Sequence, residues 1–249
     1  MGLVILVYGV IAYLVFFGTF LYLIAFIGGD MTAFVHAPKT LDWGPSPIEG
    51  APAALVNIGL LLLFAVQHTL TARQGFKTWL MKIIPPAAER STYVLLSSLL
   101  IIALYVYWIP MPQVVWQADA GWDIALTVLF FIGFGLVLLA TFLINHFELF
   151  GLEQTWYRFQ GREAPTPKFH TPLLYQHVRH PLYLGWMIAF WSTPMMTVGH
   201  LLFAAVWTIY IFVAVGYEER DLVRLFGDKY RQYMARVPMI LPFGRRKDG

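Results

Sequence analysis

Tyr175-Gln-His-Val-Arg-His-Pro-Leu-Tyr-Leu-Gly185 and, after a long apolar run, Tyr217-Glu-Glu-Arg-Asp-Leu222 are the two ends of the stretch whose reading decides the fold. Pro181 lacks a backbone N–H and has a φ suited to a helix start, while His180, as the residue before proline, is pushed out of the α region. The free amides that follow, flanked by Arg179 and His180, form a place for a carboxylate or phosphate. A single helix from there to the Glu218-Glu219 pair would reach ~50 Å, well beyond a ~30 Å hydrocarbon core. The middle, Trp191-Ser-Thr-Pro-Met-Met-Thr-Val-Gly-His200, is a turn-like cluster. Folded there, the stretch becomes a hairpin with legs near 182–196 and 199–216, which brings Arg179 and His180 back to Glu218 and Glu219. Cationic and helix-N-terminal donors beside paired carboxylates suit a zwitterion, a ligand carrying both a carboxylate and an ammonium.

Working outward, apolar runs of spanning length fall at 3–28, 53–70, 92–109 and 122–145. With the hairpin they predict an all-α polytopic membrane protein of about six spans. The connections at 29–52, 110–121 and 194–200 hold one basic residue, Lys39. The other sixteen of the seventeen Lys and Arg fall in 71–90, 146–181 and the tail. By the positive-inside rule both termini and the charged cluster are expected on the cytoplasmic face, in a bacterial inner membrane. The Gly-, Pro- and aromatic-rich segment 29–52 is expected to pack as a cap on the outer face.

Composition agrees: 59% of the 249 residues are hydrophobic and 12% charged, with mean hydropathy +0.64. The placement of the basic residues accounts for the pI near 9.1 without nucleic acid. No cysteine is present, so disulfides, thiolate metal ligands and a cysteine nucleophile are excluded. Gly133-Phe-Gly135 lies inside an apolar run without strand context and predicts close helix packing. After Glu219, apolar Leu222, Phe226, Tyr230, Tyr233 and Val237 recur at helical spacing among basic residues. They predict an amphipathic helix on the cytoplasmic surface, ended by Pro238 and Pro242. Tyr230 or Tyr233 could cover a ligand there, or the helix could simply anchor.

Arg179-His-Pro-x-Tyr183-x-Gly185 with Glu218-Glu-x-x-Leu222-x-x-x-Phe226-Gly-x-x-Tyr230-x-x-Tyr233 resembles the S-adenosylmethionine-binding half of integral-membrane methyltransferases, among them the isoprenylcysteine carboxyl methyltransferases. Phe147-x-Leu-Phe-Gly-Leu-x-Gln154 and Thr171-Pro-x-x-Tyr175-x-x-Val-Arg-His-Pro-Leu-Tyr183 are similar to the methanethiol S-methyltransferases. Phe64-x3-His68-x3-Ala-Arg73, Glu89-Arg90-Ser-x-Tyr93 and Trp108-x-Pro110 are similar to the related NnrU-like membrane proteins. The resemblance covers roughly 50–245. It departs at Leu173, where the prenylcysteine enzymes carry glycine, and that departure favours the small-thiol branch.

The resemblance implies one methyltransferase domain over 1–249, with four spans in 1–145 and the cofactor-binding half in 146–249. It also implies S-adenosylmethionine as cofactor, held by Tyr175, His177, Arg179, His180, Pro181, Tyr183, Gly185, Glu218, Glu219 and Tyr230. The expected acceptor is a small thiol, methanethiol giving dimethyl sulfide. His146, Glu148 and His68 are candidates for taking its proton, and Arg73, Arg90, Tyr93, Gln154 and Tyr157 for lining its pocket. Bland alternatives stand beside these: Arg179-His180 as a headgroup anchor, the Glu pair as solvated residues, His68 and His146 as satisfied buried histidines. The histidines lack a His-x3-His or His-Glu-x-x-His helix pattern, so no metal is expected. Rival functions are methylation of a lipid or prenylcysteine-type acceptor, and a non-enzymatic NnrU-like accessory role.

Overall fold

The computed structural model describes residues 1–166 and 168–242; the basic residues 245–247 lie outside them. Among the described residues five helices are long and apolar enough to cross a membrane: α1 (Gly2–Gly28), α2 (Gly50–Ala72), α4 (Glu89–Tyr107), α5 (Trp122–Ile144) and α9 (Val198–Phe226). Between and after them come α3 (Gln74–Leu80), α6 (His146–Leu149), α7 (Leu152–Phe159), α8 (Pro181–Trp191) and α10 (Asp228–Arg236). Two short strands, β1 (Val114–Gln117) and β2 (Met195–Thr197), pair with each other. Leu14 and Leu21 on α1, Leu62, Leu63 and Val66 on α2, and Ile132, Leu139 and Phe142 on α5 remain exposed. Apolar surface on that scale needs a hydrocarbon solvent, and helices satisfy their backbone groups internally within it. The protein is an integral membrane protein.

The hairpin is more unequal than its sequence suggests. α8 has eleven residues, about 16 Å of rise and half a hydrocarbon core. Its helix stops at Trp191 and the chain becomes extended at β2. α9 runs for 29 residues straight through the Glu pair, because Glu, Arg and Leu are good helix formers and no breaker intervenes before Gly227. Gly227, at φ +60°, splits the amphipathic helix expected after residue 219, leaving α10 as a separate short piece.

The chain divides into two compact units that interleave in sequence: residues 1–116, 145–166 and 195–203 form one, and 117–144, 168–194 and 204–242 the other. In the first unit α1 packs on α4 and α7, and α2 on α4. Its connections gather at one end. Asn57 on α2 exchanges two hydrogen bonds with the backbone of Ile109, at 2.8 and 2.9 Å. Trp108, fully buried, donates to Leu41 O at 3.0 Å. Thr197 donates to Asp42, and Gly199 N donates to Met111 O at 3.0 Å. Segment 29–52 is thus an ordered cap, joined to the other two basic-poor connections.

The second unit is built on α5 and α8. A Cβ on Gly133 would lie 2.5 Å from Ala189 N, and one on Gly185 would lie 2.8 Å from Gly133 O. Both glycines are therefore where the two backbones touch, as the Gly133-x-Gly135 reading predicts for Gly133; Gly135 faces open space. Gly185, expected at the cofactor, serves this contact.

Candidate functional site

In the second unit the chain before α8 is pinned from behind. Arg179 N donates to Pro238 O at 2.9 Å and His180 N to Met239 O at 3.0 Å. This fixes His180 in a non-helical conformation (φ −128°, ψ 64°) ahead of Pro181, the first helical residue. From that mount the side chains reach α9. Arg179 Nε donates to Glu219 Oε1 at 2.6 Å, and His180 Nε2 lies 3.1 Å from the same oxygen. Tyr183 OH donates to Glu218 Oε2 at 2.8 Å. The two motifs, about forty residues apart in sequence, close on one another.

The two carboxylates differ. Glu219 is 12% exposed and enclosed by Arg179 and His180, whereas Glu218 is 43% exposed, bonded to the Tyr183 phenol and 3.9 Å from His180 Nδ1. Arg179 also donates from Nη1 to Met234 O at 3.1 Å and Val237 O at 2.5 Å. Its guanidinium, which the sequence suggests as a ligand's partner, is largely committed inside the protein. It brackets α9 to the end of α10. Glu218 is left as the accessible anion, beside the first-turn amides of α8, which have no helical carbonyl to bond.

Aromatic groups complete the cluster. Tyr230 is buried, and burial, reinforced by Glu219 and Glu218, raises its pKa. Tyr233 donates to Tyr175 O at 2.5 Å, and burial moves its pKa up to about 12. Burial and then Glu218 raise that of Tyr175, whose hydroxyl donates to Ala140 O at 3.4 Å. All three stay neutral donors at physiological pH. Phe169, which no sequence argument singles out, sits against Phe226, Tyr230 and Tyr233 at ring distances of 5.3, 5.9 and 5.5 Å. His177 is exposed, its ring against its own turn at Leu173 O.

Leu173 has φ +38°, a left-handed conformation that residues with a Cβ rarely adopt. Its side chain is strained there. Leu173→Gly is expected to stabilise the protein by up to about 1 kcal/mol, read as a small rise in melting temperature in detergent.

The candidate acid–base and pocket residues lie in the first unit, in two groups. His68, on α2, has both ring nitrogens occupied: Nε2 lies 2.6 Å from Tyr93 OH and Nδ1 3.0 Å from Ser97 Oγ. Arg90 stacks over Tyr93 at 5.1 Å and donates to Leu149 O at 2.7 Å. In the second group Asn145, at φ +147°, accepts from Glu148 N at 3.3 Å and donates to Glu153 at 2.5 Å. His146 Nε2 meets Tyr13 OH at 2.9 Å. Gln154 donates to Glu148 O at 3.1 Å, while its Oε1 is buried without a partner, an acceptor held ready for a donor. Arg73 donates back into α2 at Thr69 O, and Tyr157 lies under Arg162. Tyr13, Ser97 and Asn145 escape sequence reading; a polar residue within or at the end of an apolar run is their one signal. Among the described residues no group of three His, Asp or Glu is placed to hold a metal ion.

Burial lowers the pKa of His146. As pH falls through the unfolded value near ~6.5, the unfolded chain takes up a proton that folded His146 resists, so stability declines toward the folded pKa. Unfolding by urea at pH 7 and 5.5 should show a smaller acid loss in His146→Gln than in the parent chain.

A family model described as "Protein of unknown function (DUF1295)" matches residues 79–237. The chain is 52% identical over 96% of its length to methanethiol S-methyltransferase 1 of Bradyrhizobium diazoefficiens, covering 82% of that protein. It is 48% identical over 97% of its length to the methanethiol S-methyltransferase of Mycobacterium tuberculosis, covering 97% of that protein. The chain belongs to the methanethiol S-methyltransferase family. It is thereby a methyltransferase, and the match takes in the first span and outer cap, which the motifs leave out. Nurim of Sus scrofa is more distant, 31% identical over 72% of this chain and 75% of its own length. No solved structure matches.

Proposed function

We propose that this protein transfers the methyl group of S-adenosylmethionine to methanethiol, giving dimethyl sulfide and S-adenosylhomocysteine. The observation that carries the cofactor assignment is the convergence of Tyr183, His180 and Arg179 on Glu218 and Glu219 beside a helix N-terminus. The donor set fits an amino-acid zwitterion. Glu218, open and acceptor-only, takes the ammonium, and the α8 amides take the carboxylate. Arg179 and Glu219 hold the two helices that carry these groups at a fixed separation. Tyr233 and Phe169, both partly exposed, offer the aromatic surface for the rest of the molecule.

The cofactor supplies an already activated sulfonium methyl. The thiol sulfur forms a bond to that carbon as the carbon–sulfonium bond breaks, and the thiol proton leaves to a base. The thiolate is the nucleophile, so the protein's contribution is positioning and exclusion of water. A volatile apolar thiol partitions into the bilayer, which gives the reaction a reason to be membrane-embedded. The sixteen basic residues outside the Lys39 connection support a cytoplasmic location for both termini and for the Glu218–Glu219 cluster.

Purified protein, methyl-labelled S-adenosylmethionine and a panel of thiols provide the test. Labelled dimethyl sulfide in the headspace with methanethiol is the expected result. Label appearing with long-chain or prenylated acceptors and not with methanethiol would overturn the acceptor. Absence of cofactor binding by calorimetry would overturn the whole reading.

A further inference from the structure

At the capped end of the first unit, α1 and α4 border a groove of about 570 Å³. Its walls are apolar, with Leu14 and Gly18 on α1 facing Ile102 and Val106 on α4, and Lys39 of the cap at one end. Residues 14 to 22 line it, so it follows α1 for more than two turns, ~12 Å, the direction of a lipid chain. The neutral polar groups of the wall satisfy one another. Tyr22 OH donates to Lys39 O at 2.8 Å, Tyr105 OH to Thr19 O at 2.9 Å, and Thr19 Oγ1 to Val15 O at 2.7 Å.

Lys39 differs. Its stem lies across Gly44, where φ is +144° and a Cβ would come within 2.8 Å of Lys39 Cγ. Its ammonium donates to Val106 O at 2.7 Å, using one of three N–H groups. Among the described residues it forms no ion pair with a carboxylate, and burial lowers its pKa, the behaviour of a cation short of an anion. Lys39 is also the one Lys or Arg in the connections 29–52, 110–121 and 194–200.

We propose that the groove binds an acyl chain of an anionic phospholipid whose headgroup phosphate pairs with Lys39. An apolar trough in a lipid-facing surface with a fixed cation at its end complements an anionic amphiphile. Its volume is of the size that takes a large ligand, far more than a thiol of two heavy atoms fills. Lipid chains reach it sideways, between helices whose outer faces are already in the bilayer.

Native mass spectrometry of the full chain in detergent, with phosphatidylglycerol, phosphatidylcholine or oleate added, tests this. Phosphatidylglycerol should be retained about tenfold more than phosphatidylcholine, the scale of one charge-assisted contact, with oleate a weak competitor. Lys39→Gln should bring the two lipids level. Gly18→Leu, whose added Cβ meets nothing within 4 Å, should fill the trough and cut retention of both, with the lipid-free melting temperature unchanged. Equal retention of the two lipids by the parent chain, indifference to Lys39→Gln, or displacement by oleate would overturn the proposal. Lys39→Gln, in a loop, carries the test should Gly18→Leu lower the melting temperature.

Discussion

Glu219→Gln is expected to lower the stability of the protein by about 3 kcal/mol, while Glu218→Gln changes it by less than about 1 kcal/mol. Glu219 and Arg179 are both nearly buried and joined at 2.6 Å. Removing one partner leaves a guanidinium in a poorly solvated site, and such losses fall near 3–5 kcal/mol; residual exposure puts this case at the low end. Glu218 is 43% exposed and bonded to a phenol, so water replaces what its charge loses. For S-adenosylmethionine the order reverses. Glu218→Gln should weaken binding roughly 10- to 100-fold, the worth of a charge-assisted hydrogen bond, with the fold intact. Urea unfolding in detergent and calorimetric titration read the two effects separately. Equal losses of stability in both variants would show that the division between a bracketing and a ligand-facing carboxylate is wrong.

The second large effect lies at the α5–α8 contact. In Gly133→Ala the new methyl would lie 2.5 Å from Ala189 N, and in Gly185→Ala 2.8 Å from Gly133 O and Val137 N. All three obstacles are backbone atoms, which cannot rotate away, so the helices must part. Each change should cost about 1–3 kcal/mol, and Gly185→Val more. The double variant should cost less than the sum, because one separation accommodates both methyls. Gly135→Ala, with nothing within 4 Å, should be neutral or stabilising by up to about 1 kcal/mol. A melting temperature equally depressed at 135 would remove the packing explanation.

Hydrophobicity alone marks the four N-terminal helices, since the hydrocarbon thickness sets both their length and their composition: the apolar runs end within about three residues of the helix ends. The closure of Arg179-His180 on Glu218-Glu219 is legible too, because a chain too long for one crossing must fold back and buried charges need partners. What escapes is set by packing between distant residues. The turn-like cluster at 191–200 stops α8 at Trp191, but nothing local shows that residues 195–197 pair as a strand with β1. Gly185 reads as a ligand contact within its motif, and only the position of Gly133 shows it to be a helix contact. Tyr13 and His146 meet across 133 residues. Arg179 looks available until the carbonyls of Met234 and Val237 are found around it.

The pinning of Arg179 and His180 by Pro238 and Met239 sets an order of events during biosynthesis. Every span can enter the bilayer as it leaves the ribosome, yet the cluster around Glu218 and Glu219 has to wait for residues 238 and 239. A nascent chain arrested before residue 238 would already be inserted and still lack the backing that orients its arginine. The backing of Arg179 and His180 therefore closes only once residues 238 and 239 have been made.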